Sequence, residues 1–208
     1  MLRKLPPYNL CDFIGEFNYI HSMLDNFKDI IYDPSMALIR QIVTEFIIFP
    51  LGSELVKMRN KEHLRTFLFY GPPGGGKTMM VQAVVTEVNA ILIDISPQFI
   101  KGKWTDERKK MQYQMIATVM MTAKTYQPAI VYLDEAEKVF PNKKKLKKKG
   151  ARKAKSKMDG SNPARIMKPL GKWKSTKFFD DKTRVMIIGC TSFPEEGSKK
   201  DFKRYFEK

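Results

Sequence analysis

Apolar and polar positions after residue 33 follow the period of an α-helix. Apolar side chains recur three or four positions apart, as on one face of an amphipathic helix, at Met36, Ile39, Ile42, Val43, Phe46 and Ile47. Asp33 is a candidate cap and Pro34 suits a first turn, so the helix is predicted to begin there and to end near Pro50. A second short helix is predicted over 53–60.

The first 33 residues show no clean period. Aromatic and polar residues are mixed there, which predicts an irregular N-terminal arm over 1–33 with one short helix over 17–28. The rest of the chain, 34–208, is predicted to form one domain.

From Thr66 onwards the pattern alternates between short apolar runs and longer helical periods. The runs predict four strands, at 67–70, 90–95, 129–133 and 185–189. The first of them is expected to be buried on both faces. Helices are predicted between and after them, at 78–89, 107–124, 162–176 and 197–208, and residues 96–106 are predicted to form a loop. Strands that alternate with helices predict an α/β fold with three layers and a parallel sheet covered on both faces.

The strong positive charge of the chain is concentrated in one segment. Residues 143–157 contain ten Lys or Arg and no acid, and subtracting these ten from the net charge of +16 leaves +6.

Two cysteines without paired spacing fit a reducing compartment such as the cytoplasm. The longest apolar stretch, 46–51, contains Pro50 and is too short to cross a membrane, and the N-terminus has no apolar segment of signal-peptide length.

A glycine-rich segment follows the first predicted strand and opens a predicted helix. It fits the P-loop, or Walker A, pattern G-x-x-x-x-G-K-[ST] and reads Gly71-Pro72-Pro73-Gly74-Gly75-Gly76-Lys77-Thr78. Glycines let backbone amides surround a phosphate, and the helix N-terminus adds positive charge. Lys77 would act on the β- and γ-phosphates, and the Thr78 hydroxyl is a hard ligand for Mg²⁺. A chance glycine-rich turn is the alternative interpretation.

Two acids end the third predicted strand, as in a Walker B motif. Asp134 and Glu135 follow the apolar run 130–133, 57 positions after Lys77. Asp134 would orient Mg²⁺ or its water, and Glu135 would polarise the attacking water. A lone pair of acids is usually a strand-end cap, but the order and context of the two motifs favour an ATP site.

These motifs resemble the AAA branch of the AAA+ ATPases, over residues 12–206. Gly75 stands where that family usually has Thr. The resemblance implies a large nucleotide-binding subdomain that binds ATP and Mg²⁺, with phosphate contacts extending to Met79. Asp12-Phe13-Ile14-Gly15 resembles the segment whose backbone contacts adenine. The resemblance implies that Ile14 and Gly15 contact the adenine of the nucleotide.

Two further catalytic positions are implied by the resemblance. Ser192 stands where the family has the Asn that holds the attacking water, and its shorter side chain with fewer donors predicts slow hydrolysis. Arg204 stands where the family has the arginine finger that reaches the γ-phosphate of a neighbouring subunit. A surface cation in a basic tail is an equally good interpretation of Arg204.

The segment before the long helix resembles the pore loop of the family. Trp104 keeps the aromatic residue, whereas Asp106 replaces the usual Gly. Trp104 either contacts a threaded peptide or packs on its own helix, and the second interpretation is slightly favoured.

A narrower resemblance is to AAA proteins of the nexin–dynein regulatory complex in motile cilia. It is carried by three glycines before Lys77, by 93–97, and by 134–140 followed by a Lys-rich insertion. It implies a location in the cytoskeleton of the ciliary or flagellar axoneme, with other axonemal linker proteins as partners.

The basic insertion, 141–161, replaces a short loop of the family. Its like charges predict an extended segment that binds a polyanion in a salt-dependent manner, such as the acidic tails of tubulin. Nucleic acid is less favoured because the run has no aromatic residue for base stacking. A nuclear-import signal and a solvated loop without a partner are the alternatives.

The family resemblance also implies a fifth strand and a helical lid after residue 208. Their absence from this sequence predicts weak nucleotide binding and poor hydrolysis. Three functions remain open: an ATP-binding module in an axonemal linker complex that regulates dynein, a ring-forming motor that remodels a protein substrate, and a nucleotide-binding scaffold without turnover that contacts tubulin tails.

Overall fold

The computed structural model describes most of the chain in separate ranges. These are residue 2 and residues 6–16, 34–59, 64–103, 109–142, 162–175, 178–180 and 182–206. The helix predicted over 17–28, Trp104 and the basic run 143–157 therefore lie outside the described residues.

Four parallel strands form the central sheet in the order β1-β4-β3-β2. They are β1 Thr66–Tyr70, β2 Ile91–Asp94, β3 Ala129–Leu133 and β4 Val185–Thr191. All four lie where the apolar runs predicted them. Because the strands are parallel, their carboxyl ends share one edge of the sheet.

Helices cover both faces of the sheet. In chain order they are α1 Met36–Val43, α2 Phe49–Gly52, α3 Glu54–Arg59, α4 Lys77–Val88, α5 Pro97–Ile100, α6 Lys109–Thr125, α7 Ala136–Val139, α8 Met167–Ser175 and α9 Lys199–Phe206. One hydrophobic cluster joins α1, α2 and α4 to the sheet, and a second joins α6 to α9 to the opposite face. The predicted three-layer α/β fold with a parallel sheet is thus confirmed. None of the described helices combines the length and apolarity needed to cross a bilayer.

The first strand is covered on both faces, as predicted, but it is only partly buried: Phe67 and Phe69 pack against one hydrophobic cluster and Leu68 against the other. β1 pairs with β4 on one side and is the last strand of the described sheet on the other. Its middle residues are only partly buried, and Tyr70 is 73% exposed. The apolar run predicted the strand correctly, but it did not predict the exposure of Tyr70 at the carboxyl end.

The start of the first helix also differs from the prediction. Helix α1 is capped by Ser35, whose Oγ accepts a hydrogen bond from the amide of Leu38 at 3.2 Å, and not by Asp33. Ser35 places its hydroxyl at the position that an N-cap requires, and Pro34 falls before the helix. The helical path continues through a π-helical turn, Thr44–Ile48, into α2.

The segment predicted as a loop over 96–106 contains a turn of helix. Helix α5 begins at Pro97, directly after Ser96, and its first-turn proline is compatible with helix initiation. The predicted helix over 162–176 is a 3₁₀ turn, Pro163–Ile166, followed by α8.

Candidate functional site

The glycine-rich loop and the two acids follow strands that flank the same central strand. The loop follows β1 and the acids follow β3, and both strands pair with β4. Tyr70 is in register with Thr191, and Leu133 with Gly189, so both segments leave the carboxyl edge of the sheet near the end of β4. The topology therefore places the loop and the acids at one edge, as the two motifs predict.

Glycine gives the loop two residues with left-handed φ, Gly74 at 80° and Gly76 at 76°. Gly76 has φ 76° as it enters α4, a left-handed conformation that side chains other than glycine rarely adopt. A Cβ on Gly75 would lie 3.2 Å from the carbonyl oxygen of Pro72, to which the Gly75 amide donates a hydrogen bond at 3.2 Å. A side chain at Gly75 would therefore require the Pro72 carbonyl to shift by a few tenths of an ångström.

Lys77 is held by the loop that it ends. Its Nζ donates to the carbonyl oxygens of Gly71 at 3.0 Å and Pro72 at 2.7 Å. The ammonium group thus lies within the loop at the N-terminus of α4, where positive charge from lysine and helix add together. A phosphate would have to replace these two carbonyl contacts.

Thr78 connects the loop to the strand that carries the acids. Its Oγ1 lies 3.2 Å from the hydroxyl of Tyr132, two residues before Asp134. The sequence analysis missed Tyr132, because an apolar strand gives no sign that one of its hydroxyl groups faces the loop.

Asp134 is fixed by two polar residues that the sequence analysis did not assign to the site. Its amide donates to Ser96 Oγ at 2.8 Å, and the Ser96 amide donates to Asp94 Oδ1 at 2.9 Å. Asp94 and Ser96 are both fully buried. The sequence could have indicated both residues, since polar side chains at the end of a buried strand need hydrogen-bond partners.

Glu135 has an uncommon backbone conformation and an ion-pair partner. Its φ of 49° is left-handed, and its Oε1 accepts a hydrogen bond from Lys138 Nζ. The side chains of Glu135 and Lys138 are 38% and 53% exposed, so the pair lies near the surface. Lys138 therefore competes with any water for the Glu135 carboxylate.

Ser192 directly follows β4 and is partly exposed. The preceding residue, Thr191, is fully buried and donates its hydroxyl to Glu137 Oε2 at 2.5 Å. The same hydroxyl accepts a hydrogen bond from the Phe193 amide at 3.3 Å. These contacts join the exit of β4 to α7 and fix the backbone on both sides of Ser192.

The buried Cys190 thiol on β4 lies within the influence of charges from both motifs. Burial raises the pKa of the Cys190 thiol to about 12, the charge of Asp134 also raises it, and the charge of Lys77 lowers it. Burial likewise raises the pKa of Tyr132 above its usual range. Charges from the loop and from the strand end thus act on the same thiol.

Three further predicted contacts of the nucleotide are Ile14, Gly15 and Met79. Ile14 is 90% exposed, and the carbonyl oxygen of Gly15 accepts a hydrogen bond from Arg40 at 3.2 Å. Buried Phe13 approaches Gly76, since a Cβ built there would lie 3.4 Å from its ring. Met79 packs against the core cluster of α4. The adenine contacts stay a prediction.

Arg204 lies away from the loop of its own chain. It is exposed on α9 beside Tyr205, whose carbonyl oxygen accepts a hydrogen bond from Thr66 at the start of β1, whereas the loop follows the end of that strand. A role as a finger would therefore concern a neighbouring chain and stays a prediction, as does the role of Trp104.

The available groups suit Mg²⁺ rather than a metal held by the protein alone. Among the described residues, no group of three or more His, Cys, Asp or Glu side chains could hold a metal ion. Mg²⁺ is commonly bound by one or two protein oxygens together with substrate phosphates and water. The Thr78 hydroxyl and the Asp134 carboxylate fit that pattern.

Comparison with known proteins supports the assignment of the fold and the family. A family model described as "ATPase family associated with various cellular activities (AAA)" matches residues 67–207. The AAA domain of FIGL-1 in complex with ADP superimposes with a TM-score of 0.57 at 20% identity, which covers 80% of this chain and 49% of that chain. At this identity the superposition shows the fold alone.

Two curated relatives are similar over nearly the whole chain. Dynein regulatory complex protein 11 of Mus musculus is 31% identical over 202 residues, which are 96% of this chain and 22% of that protein. Spastin of Sus scrofa is 25% identical over 206 residues, which are 96% of this chain and 29% of that protein. The chain thus spans less than a third of either relative. The matched family model and these similarities show that the chain belongs to the AAA family of ATPases.

Proposed function

We propose that this AAA domain binds ATP together with Mg²⁺ at the loop 71–78 and at Asp134. The loop amides and Lys77 would bind the phosphates, and Thr78 and Asp134 would hold the metal. The observation that carries this proposal is the 3.2 Å contact of the Thr78 hydroxyl with Tyr132, because it joins the loop to the strand that ends in the acids. Bound Mg²⁺ would neutralise charge on the phosphate oxygens.

Hydrolysis at this site would be slow. Glu135 would act as the general base towards water, but its carboxylate is paired with Lys138. Ser192, held by the contacts of Thr191, would contact that water with a single hydroxyl. The Lys138 contact also favours a second candidate function, a nucleotide-binding scaffold that does not turn over.

The cellular setting is proposed from one relative. The name of the mouse protein, dynein regulatory complex protein 11, supports a place in the cytoskeleton of the ciliary axoneme, with other linker proteins as partners. The basic run 143–157 would contact the acidic tails of tubulin. Co-sedimentation with microtubules that falls with salt, and that is lost when the tubulin tails are removed, is expected; binding insensitive to both would contradict the electrostatic proposal.

Nucleotide binding is tested by titrating a fluorescent ATP analogue into the full chain. Lys77→Ala should weaken the affinity by about 10- to 100-fold, because it removes a charged hydrogen-bond donor to phosphate. Lys182→Ala is the matched control. This exposed lysine precedes the first residue of β4 and is therefore at the edge of the sheet opposite to the loop. Equal affinities of the two variants would refute the site.

Turnover is measured as phosphate release by wild type and Glu135→Gln. A slow ATPase predicts that Glu135→Gln abolishes the release while ATP still binds. If wild type and variant release phosphate at the same background rate, the scaffold function is favoured.

A further inference from the structure

A short N-terminal segment contacts both ends of helix α4. At the C-terminal end, the amide of Leu10 donates a hydrogen bond to Glu87 Oε1 at 3.0 Å. At the N-terminal end, the ring of Phe13 lies against Gly76, where a Cβ would be 3.4 Å from the Cε1 atom of the ring. The segment therefore connects the last turn of α4 with the residue at which the phosphate loop enters the helix.

The two contacts reach opposite ends of α4 from neighbouring residues. Gly76 and Glu87 are 11 positions apart, or about 16 Å along the helix axis. Leu10 and Phe13 are separated by a single 3₁₀ turn. The long side chains of Phe13 and Glu87 therefore span the remaining distance, and each holds one end of the segment against the helix.

The ring of Phe13 is itself fixed by the core. Phe13 is 7% exposed and belongs to the hydrophobic cluster that joins α1, α2 and α4 to the sheet. The same cluster contains Met80 and Val81, which lie near the start of α4. Gly76 thus packs against a side chain whose position is set by the buried layer and not by the loop.

Gly76 has no side chain with which to fix its own conformation. Glycine adopts many backbone conformations, and residues 74–76 are three glycines in succession. Backbone amides bind phosphate only while the loop keeps the conformation that presents them. If the loop has that conformation for a fraction of the time, the apparent affinity falls to the same fraction. Contact with Phe13 restricts Gly76, whose carbonyl oxygen accepts a hydrogen bond from the Met80 amide at 2.8 Å.

We propose that Phe13 is a positioning residue for the phosphate loop, because its ring holds Gly76, and with it the loop amides, in the conformation that binds phosphate. Glu87 supports this role by anchoring the segment at the far end of α4. The inference rests on the proposed binding of ATP at 71–78. It predicts that a residue outside the loop controls the affinity for the phosphates themselves, independently of the base.

The test uses inorganic pyrophosphate, which has phosphates but no base. Its dissociation constant is measured by displacement of a fluorescent ADP analogue from the full chain, and that of ADP is measured in the same way. Phe13→Ala should weaken the binding of both ligands by the same factor, about 5- to 10-fold, as expected if the loop is competent for about 10–20% of the time. Phe13→Leu keeps an apolar contact with Gly76 and should recover most of the affinity.

Leu51→Ala is the matched control for loss of packing. Leu51 is 1% exposed in the same cluster as Phe13, but it lies on α2. This variant should lose stability in urea, as Phe13→Ala does. Its affinity for pyrophosphate should stay within about twofold of wild type, because stability loss at a separate site does not move the loop.

Glu87→Ala tests the same idea from the other end of the segment. Glu87 is exposed, so this variant keeps the core intact and decides the question if Phe13→Ala does not fold. Loss of the Leu10 contact should weaken pyrophosphate binding about two- to threefold. Glu87→Gln retains an oxygen acceptor and should bind as wild type does. Without any ligand, hydrogen exchange of the Met80 amide should be faster in Phe13→Ala and Glu87→Ala.

The outcomes distinguish this inference from the proposed function. If wild type binds neither pyrophosphate nor ADP, the proposed function fails. If Phe13→Ala weakens ADP but not pyrophosphate, or if Leu51→Ala weakens pyrophosphate as much as Phe13→Ala does, the site stands and the positioning role of Phe13 is overturned. If Glu87→Ala leaves both the affinity and the exchange of the Met80 amide unchanged, the anchoring role of Glu87 is overturned.

Discussion

Replacement of Thr191 by valine should remove a buried hydrogen bond next to the candidate site without changing the shape of the core. Thr191 is fully buried, and its hydroxyl donates to Glu137, which is 6% exposed. Valine has nearly the same volume but no hydroxyl. Thr191→Val therefore leaves the Glu137 carboxylate buried without this donor, and it leaves the Phe193 amide without its acceptor.

The size of the effect is set mainly by the larger of these two losses. A hydrogen bond to a charged group contributes about 1.5–3 kcal/mol to the free energy of unfolding. The Phe193 amide costs less, because its side chain is 46% exposed and water can approach nearby. The loss should thus be about 1.5–3 kcal/mol, which for a domain of this size lowers Tm by about 3–12 °C.

Urea unfolding followed by circular dichroism measures this loss. Thr191→Ser keeps the hydroxyl and is the matched control, so it should lose less stability than the valine variant. If Thr191→Val loses less than about 0.5 kcal/mol, within the range of ordinary surface substitutions, the Glu137 contact does not stabilise the exit of β4.

Three further predictions concern other contacts of the fold. Lys138→Ala should free the Glu135 carboxylate and raise phosphate release, with a stability change below about 1 kcal/mol because the pair is exposed; unchanged or slower release would contradict the competition. Gly197→Ala should lower the free energy of unfolding by about 1–3 kcal/mol, and with it the urea midpoint, since its Cβ would lie 2.1 Å from the ring of Phe202. An unchanged midpoint would show that the ring moves freely. Cys190, with a pKa of about 12, should be about one part in 10⁴ thiolate at pH 8 and should react with iodoacetamide only after unfolding; rapid alkylation of the folded chain, located by peptide mass, would disprove its burial.

The sequence predicted the elements of the fold well, because apolar runs and turn residues are local signals. β3 and its neighbours begin and end close to the predicted positions. The degree of burial of β1 was overestimated, since an apolar run does not reveal that its residues are only partly covered. The cap at Ser35 was missed because Asp33 and Ser35 are both good capping residues, and their order along the chain does not decide between them.

The site could be predicted only in part for a related reason. The motif order predicted that the loop and the acids would lie at one edge of a parallel sheet, which the strand order shows. The contacts in and beside the site join residues 54 positions apart, as in Thr78 with Tyr132 and Glu137 with Thr191. Such pairs depend on strand register and on the depth of each side chain, and single-sequence patterns specify neither.

The left-handed backbone of Glu135 means that folding and the proposed catalytic role favour different residues at this position. An L-amino acid with a side chain pays roughly 1–2 kcal/mol to adopt this conformation, whereas glycine adopts it without strain. The local turn alone would therefore select glycine. A carboxylate there acts against the preference of its own backbone, a cost in stability that the proposed catalytic role of Glu135 would offset.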